Sequence, residues 1–172
     1  GSFIGGVTAS NSSSMDHLAV HGDVKLYGGL QRKVNVVTTD VPLSSSMAGT
    51  TIILSASAAE YTLTLPAAAG NGYAYHFHVG KVNTNNYLIK VADANGLLKG
   101  VITSVDDDGT AATAYSGKGT DDTITLNGTT TGGQIGDTIV CTDIGAHTYS
   151  VTGMVAVPAG SNVADMFSAT VS

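Results

Sequence analysis

The chain has 172 residues, a formal net charge of −6 and only 12% Asp, Glu, Lys and Arg, about half the usual share of a soluble domain. Its seven basic residues are scattered, with only Arg32 and Lys33 adjacent, so the clustered positive charge that phosphate binding needs is missing and nucleic acid is excluded as a main partner. The single cysteine, Cys141, excludes an intrachain disulfide, and no apolar run reaches the roughly 18–20 residues of a membrane helix.

The length fits one compact domain with an appendage. Residues 1–14 are mostly Gly, Ser, Thr and Asn with three apolar points, Phe3, Ile4 and Val7. Such a segment builds no core alone and reads as an extended N-terminal arm, disordered or held by a partner. Residues 15–49 read as a short-strand, hairpin region for oligomerisation or anchoring. Its apolar points are Leu18, Val20, Val24, Leu26, Tyr27 and Leu30, with turn signals at Gly22-Asp23 and Gly28-Gly29. Strands so short cannot bury both faces within one chain, so these residues and Phe3, Ile4 and Val7 are the expected partner or oligomer contacts. Val34 to Thr39 is a further strand candidate. Pro42 and Ser44-Ser45-Ser46 mark a connector over 41–49, and the domain boundary is placed there.

From Thr50 onward apolar and polar residues alternate in short runs separated by Gly, Asn, Asp and Thr. The spacing predicts strands over 50–55, 60–65, 73–79, 86–92, 100–104, 111–115, 122–126, 137–142, 147–156 and 166–171. Strands recurring every 8–12 residues are the mark of a sandwich or barrel. Helix is nearly absent from the pattern. The fold class expected is all-β, a β-sandwich over 50–172.

Little in the chain carries chemistry, and it reads as a structural protein, not an enzyme. His76 and His78 are the best metal candidates, because residues i and i+2 of a strand share a face. A third ligand from a neighbouring strand would complete a site, whereas the other reading leaves both on a polar face opposite a core of Tyr73, Tyr75, Phe77 and Val79. Asp106-Asp107-Asp108-Gly109 and Asp121-Asp122 lack the alternation of a calcium loop and read as solvated turn tips. Asp143 and Asp165 stand alone in the sequence. Gly117-Lys118-Gly119 fails as a phosphate loop, with no upstream Gly and no Ser or Thr after the Lys. There is no GxSxG elbow, Glu60 is the only glutamate, and Trp is absent. Cys141, within Thr138-Ile-Val-Cys-Thr142, reads as a small buried hydrophobe. Sugar binding rests on Tyr115 and Tyr149. No cofactor is implied.

Three stretches carry a resemblance. They are Thr50-Thr-Ile-Ile-Leu54 through Leu63-Thr-Leu-Pro-Ala-Ala-Ala-Gly-Asn-Gly-Tyr73, Asn85-Asn-Tyr-Leu-Ile-Lys-Val-Ala-Asp-Ala94, and Asp121 to Gly133 followed by Gly136-Asp137 and the ending Phe167 to Ser172. Together they resemble a module of tailed-bacteriophage structural proteins, the capsid decoration (cement) and fibre proteins. The resemblance covers roughly residues 50–172 and carries no catalytic residues. It implies a jelly-roll-like β-sandwich, commonly trimeric. The expectation that follows is a head decoration protein on the capsid exterior of the virion. Its partners would be its own copies in a homotrimer and the major capsid protein, with no membrane and no nucleic acid. Linked weak contacts would then combine through effective concentration. The alternative is a tail or head fibre segment that binds a host-surface receptor, with a glycan as partner. The shortness of the chain, taken as a full gene product, is expected to favour decoration. Deleting residues 1–40 is expected to leave a folded sandwich that no longer decorates the particle.

Overall fold

The computed structural model describes Gly28 and residues 31–109 and 112–171. The chain divides into two compact units, Gly1–Gln31 and Arg32–Ser172, and all secondary structure described below belongs to the second. The expected contacts Phe3, Ile4, Val7, Leu18, Val20, Val24, Leu26, Tyr27 and Leu30, and the arm over 1–14, lie outside the described residues.

The second unit is an all-β sandwich of twelve strands: β1 (Val34–Val37), β2 (Val41–Pro42), β3 (Thr51–Leu54), β4 (Tyr61–Leu65), β5 (Ala74–Val79), β6 (Tyr87–Val91), β7 (Leu97–Asp106), β8 (Ala112–Ser116), β9 (Thr123–Leu126), β10 (Thr138–Gly145), β11 (Thr148–Val157) and β12 (Phe167–Ser168). They form a seven-stranded sheet, β1-β3-β5-β10-β11-β7-β8, and a five-stranded sheet, β12-β9-β6-β4-β2. Side chains of a strand alternate between faces, and the sequence obeys that period. In β5, Tyr75, Phe77 and Val79 are buried while Ala74, His76 and His78 are half-exposed. In β3, Ile52 and Leu54 are buried and Thr51 and Ile53 are not. These inward positions join Leu63, Leu65, Ile89 and Ile124 of the smaller sheet in one core. Each such side chain contributes about 1.5–3 kcal/mol by leaving water. Tyr73 departs from the expected core set: it precedes β5 and is 43% exposed.

The winding is not that of a jelly roll, whose Greek keys pair strands antiparallel. From β1 to β6 successive strands alternate between the two sheets, and neighbours within each sheet run parallel: β1 with β3, β3 with β5, β2 with β4, β4 with β6. Residues 34–91 thus coil as stacked parallel turns. The rest is closed by hairpins, β7 with β8 and β10 with β11, and by a parallel junction of β7 with β11 along ten residues of each. Gly100 makes that junction close. Its φ is +148°, and a Cβ there would stand 1.8 Å from the carbonyl oxygen of Val151.

The connector expected over 41–49 is part of the sandwich. Val41 and Pro42 pair with Leu63 and Thr64, Leu43 is buried, and a 3-10 turn over Ser45–Met47 leads into β3. Pro42 reads as a breaker only if its missing N–H is needed. At the outermost strand of the smaller sheet it is not. The sandwich therefore starts at β1, not at Thr50, and a truncation after residue 40 removes an edge strand of it.

Candidate interaction surface

The outer face of the seven-stranded sheet is a broad surface of the described fold. The pairing register aligns outward residues of all seven strands into two unbroken rows. One runs Val34, Thr51, His76, Val140, Thr152, Val101, Ser116; the next runs Val36, Ile53, His78, Thr138, Met154, Thr103, Ala114. None of the fourteen is charged. An ordinary surface with 25–35% Asp, Glu, Lys and Arg would place about four charges there. Val34, Val36, Val101 and Met154 are 55%, 63%, 48% and 67% exposed. The flanking partial rows are Ala156, Val105, Ala112 on one side and Ala74, Thr142, Ser150, Lys99 on the other, so Lys99 stands at one corner, and Arg32, two residues before Val34, bears on His76 from the β1 side.

His76 and His78 sit inside these rows. His76 lies between Thr51 and Val140, and His78 between Ile53 and Thr138. They share a face, as their spacing requires, but no group of three His, Cys, Asp or Glu gathers to hold a metal among the described residues. Burial, then Arg32 and then His78, hold the His76 imidazole below its ordinary 6.5, so it is neutral at pH 7.

One of the two acidic clusters is not what the sequence suggested. Asp121 and Asp122 are buried rather than solvated tips. Asp122 accepts hydrogen bonds from the Thr170 and Val171 amides and the Thr123 hydroxyl at 2.8, 3.0 and 2.7 Å, which fastens the C-terminal segment. Asp121 accepts from the Lys118 amide. Asp143, read as partnerless, is 3% exposed. It accepts from the Ala69, Gly70 and Asn71 amides at 3.0, 2.7 and 3.1 Å. Asp137 does the same for Gly133, Gln134 and Ala156 at 2.7, 3.0 and 2.9 Å. Asp165 pairs with Lys118 at 3.0 Å. Burial raises the pKa of Asp122 and Asp143, but the hydrogen bonds outweigh it and hold both below 3.8. At Asp137 burial prevails and the pKa is raised. Of the Asp106–Asp108 run, the Asp106 carboxylate accepts from the Asp108 amide at 2.9 Å, the local turn contact expected of it.

A cleft of about 270 Å³ opens where the 43–45 and 66–73 connections meet, lined by Ser44, Ser45, Asn71, Tyr73, Tyr75, Asp143 and Tyr149 among others. Its exposed ring is Tyr73. The aromatic residues expected to hold sugar are placed otherwise. Tyr149 is buried and donates to the Pro66 carbonyl at 2.9 Å. Tyr115 is half-buried on β8 and donates to the Val163 carbonyl at 2.8 Å. Cys141 is fully buried and its thiol is pushed up to about 12, which leaves it inert.

Neither the three buried clamps nor the charge-free rows announce themselves in a linear reading. The clamps link residues 48 to 74 positions apart in two of the cases, and the rows depend on which strands are neighbours. No protein-family model, curated protein or solved structure matches this chain.

Proposed function

We propose that this chain is a structural protein of a bacteriophage virion, a head decoration protein that binds the capsid exterior as a trimer and holds capsomers together. What supports the reading is the broad charge-free sheet face on a sandwich whose acids are turned inward to lock loops. Such a surface suits permanent contact with protein, since a face without charges costs little to desolvate. The phrasing of residues 50–172 that resembles phage decoration and fibre proteins supplies the rest. The partners are sister copies and the major capsid protein.

A fibre segment that binds a host-surface glycan is the second reading, favoured by one observation. Tyr73 presents a 43% exposed ring beside Asn71, Ser44 and Ser45 in the cleft, and an aromatic face flanked by short polar side chains suits a sugar ring. Cryo-electron microscopy of particles that carry the protein separates the two. Density on the icosahedral shell at three-fold sites is the expected result. Density confined to a fibre or the tail would sink the decoration reading, and Tyr73 would then be the first residue to mutate.

A further inference from the structure

We infer that the outer face of the seven-stranded sheet is where copies of this chain pack on one another. The inference deepens the self-associating part of that reading by naming the surface used; a face that meets its own copy is an isologous contact and closes as a pair, so it rests on that reading for self-association and not for the number of copies. Three observations converge. The first is size. Seven strands at about 4.8 Å spacing span about 29 Å, and the rows cover about 20 Å along the strands, so the face measures about 600 Å². Two copies would together bury about 1,200 Å², the lower bound for a stable, specific interface.

The second is charge. The chain carries a net −6, so two copies repel wherever acids face each other. The two full rows contain no acid, and the buried carboxylates of Asp122, Asp137 and Asp143 point away from them into loops. Self-contact here meets no like-charge penalty. A partner steered by electrostatic complementarity would have only Lys99 at a corner and Arg32, just before β1, to read beside this face.

The third is composition. Val, Ile, Met, Thr and His alternate across strands. Each hydroxyl or imidazole therefore has apolar neighbours on the same face, and a copy of the face offers the same mixture in return. Met154, 67% exposed on β11, is a flexible side chain that adapts to an opposing surface.

The test is sedimentation equilibrium of the full chain from about 1 to 100 μM at pH 7, beside Met154→Lys and Val101→Lys. Wild-type mass at a multiple of 17.3 kDa is expected. Each Lys variant is expected to weaken association about 100-fold or more, the cost of placing a charge inside a packed interface, with its urea midpoint as a folded subunit preserved. Met154→Ser removes apolar area without adding charge and reads the same face if a Lys variant fails to fold. A wild-type monomer at every concentration overturns the inference, as do variants that keep the wild-type mass. Variants that lose subunit stability with no change in mass would show that the chain's own residues cover the face, and would overturn it too. Capsid binding is scored separately on particles. A wild-type oligomer that does not bind them leaves the self-association face standing and removes the decoration reading.

Discussion

Asp143→Ala should loosen the connection from β4 to β5. In the native fold one carboxylate holds three consecutive amides, Ala69, Gly70 and Asn71, at 3.0, 2.7 and 3.1 Å. Hydrogen bonds to a charged group contribute about 1.5–3 kcal/mol each by mutation. The three share one acceptor, and residues 69–71 are exposed, so water satisfies part of what the carboxylate leaves. We expect a net loss of about 2–4 kcal/mol, less than the sum of three independent bonds. For a domain of this size that is roughly 10 °C in Tm. Asp143→Asn keeps one acceptor oxygen and should lose about half as much. Urea unfolding at pH 7 measures both, with the slope unchanged. Amide exchange at Ala69, Gly70 and Asn71 should accelerate in the Ala variant ahead of the core strands. A midpoint change worth less than about 1 kcal/mol in Asp143→Ala, with those amides still protected, would refute the clamp argument.

Acid should act through the same groups. Asp122 and Asp143 are held below 3.8 in the folded chain, so their contribution is complete above that value and is lost as pH falls through the folded pKa. Asp137, raised by burial, works with the opposite sign: its contribution declines as pH rises from 3.8 through its folded value. Urea midpoints should therefore fall below about pH 4, and fall less steeply in Asp143→Asn than in wild type. Gly100→Ala should cost several kcal/mol or prevent folding, because the added carbon meets the Val151 carbonyl oxygen at 1.8 Å on a backbone with φ +148°; a thermal midpoint within a degree of wild type would contradict that junction. Ser104 is fully buried, and its hydroxyl is the one buried side-chain polar atom without a partner among the described residues. Ser104→Ala should raise stability by about 1 kcal/mol, read by urea unfolding, and a loss would mean that the hydroxyl has a partner in solution.

Period-two alternation made the individual strands legible. Each of the ten runs read from Thr50 onward has an observed strand within it or overlapping it, from β3 (51–54) to β12 (167–168). Alternation is a local property, and β5, with its buried Tyr75, Phe77 and Val79, displays it without interruption. Partnership is not local. Nothing in Val34–Val37 distinguishes a hairpin strand from one that runs parallel beside Thr51–Leu54, and β2 has only two residues, one of them proline. The same limit hid the clamps. An Asp beside a Gly signals a turn whether its carboxylate faces water or closes on amides dozens of residues away, as Asp143 does at Ala69. The histidine pair was placed on the right strand and the right face by its spacing. That face's lack of charge follows only once seven strands are laid side by side.

The low charge of this chain and its choice of buried groups have one explanation. Of its thirteen acids, Asp106, Asp121, Asp122, Asp137 and Asp143 are buried, and the last three each fix a separate connection by accepting two or three backbone amides. Carboxylates used in this way order loops but do little to solvate the surface. A protein that needed solubility as a monomer would keep those acids outside and spread them over its largest sheet. Here that sheet faces outward with two rows free of charge, and its apolar members Val34, Val36, Val101 and Met154 stay exposed. An exposed flat β surface without charges is an aggregation hazard unless a defined partner covers it. On the proposed self-association, loops held by buried carboxylates and an uncharged face would serve the same end: association in one register, with less loop entropy to lose on assembly.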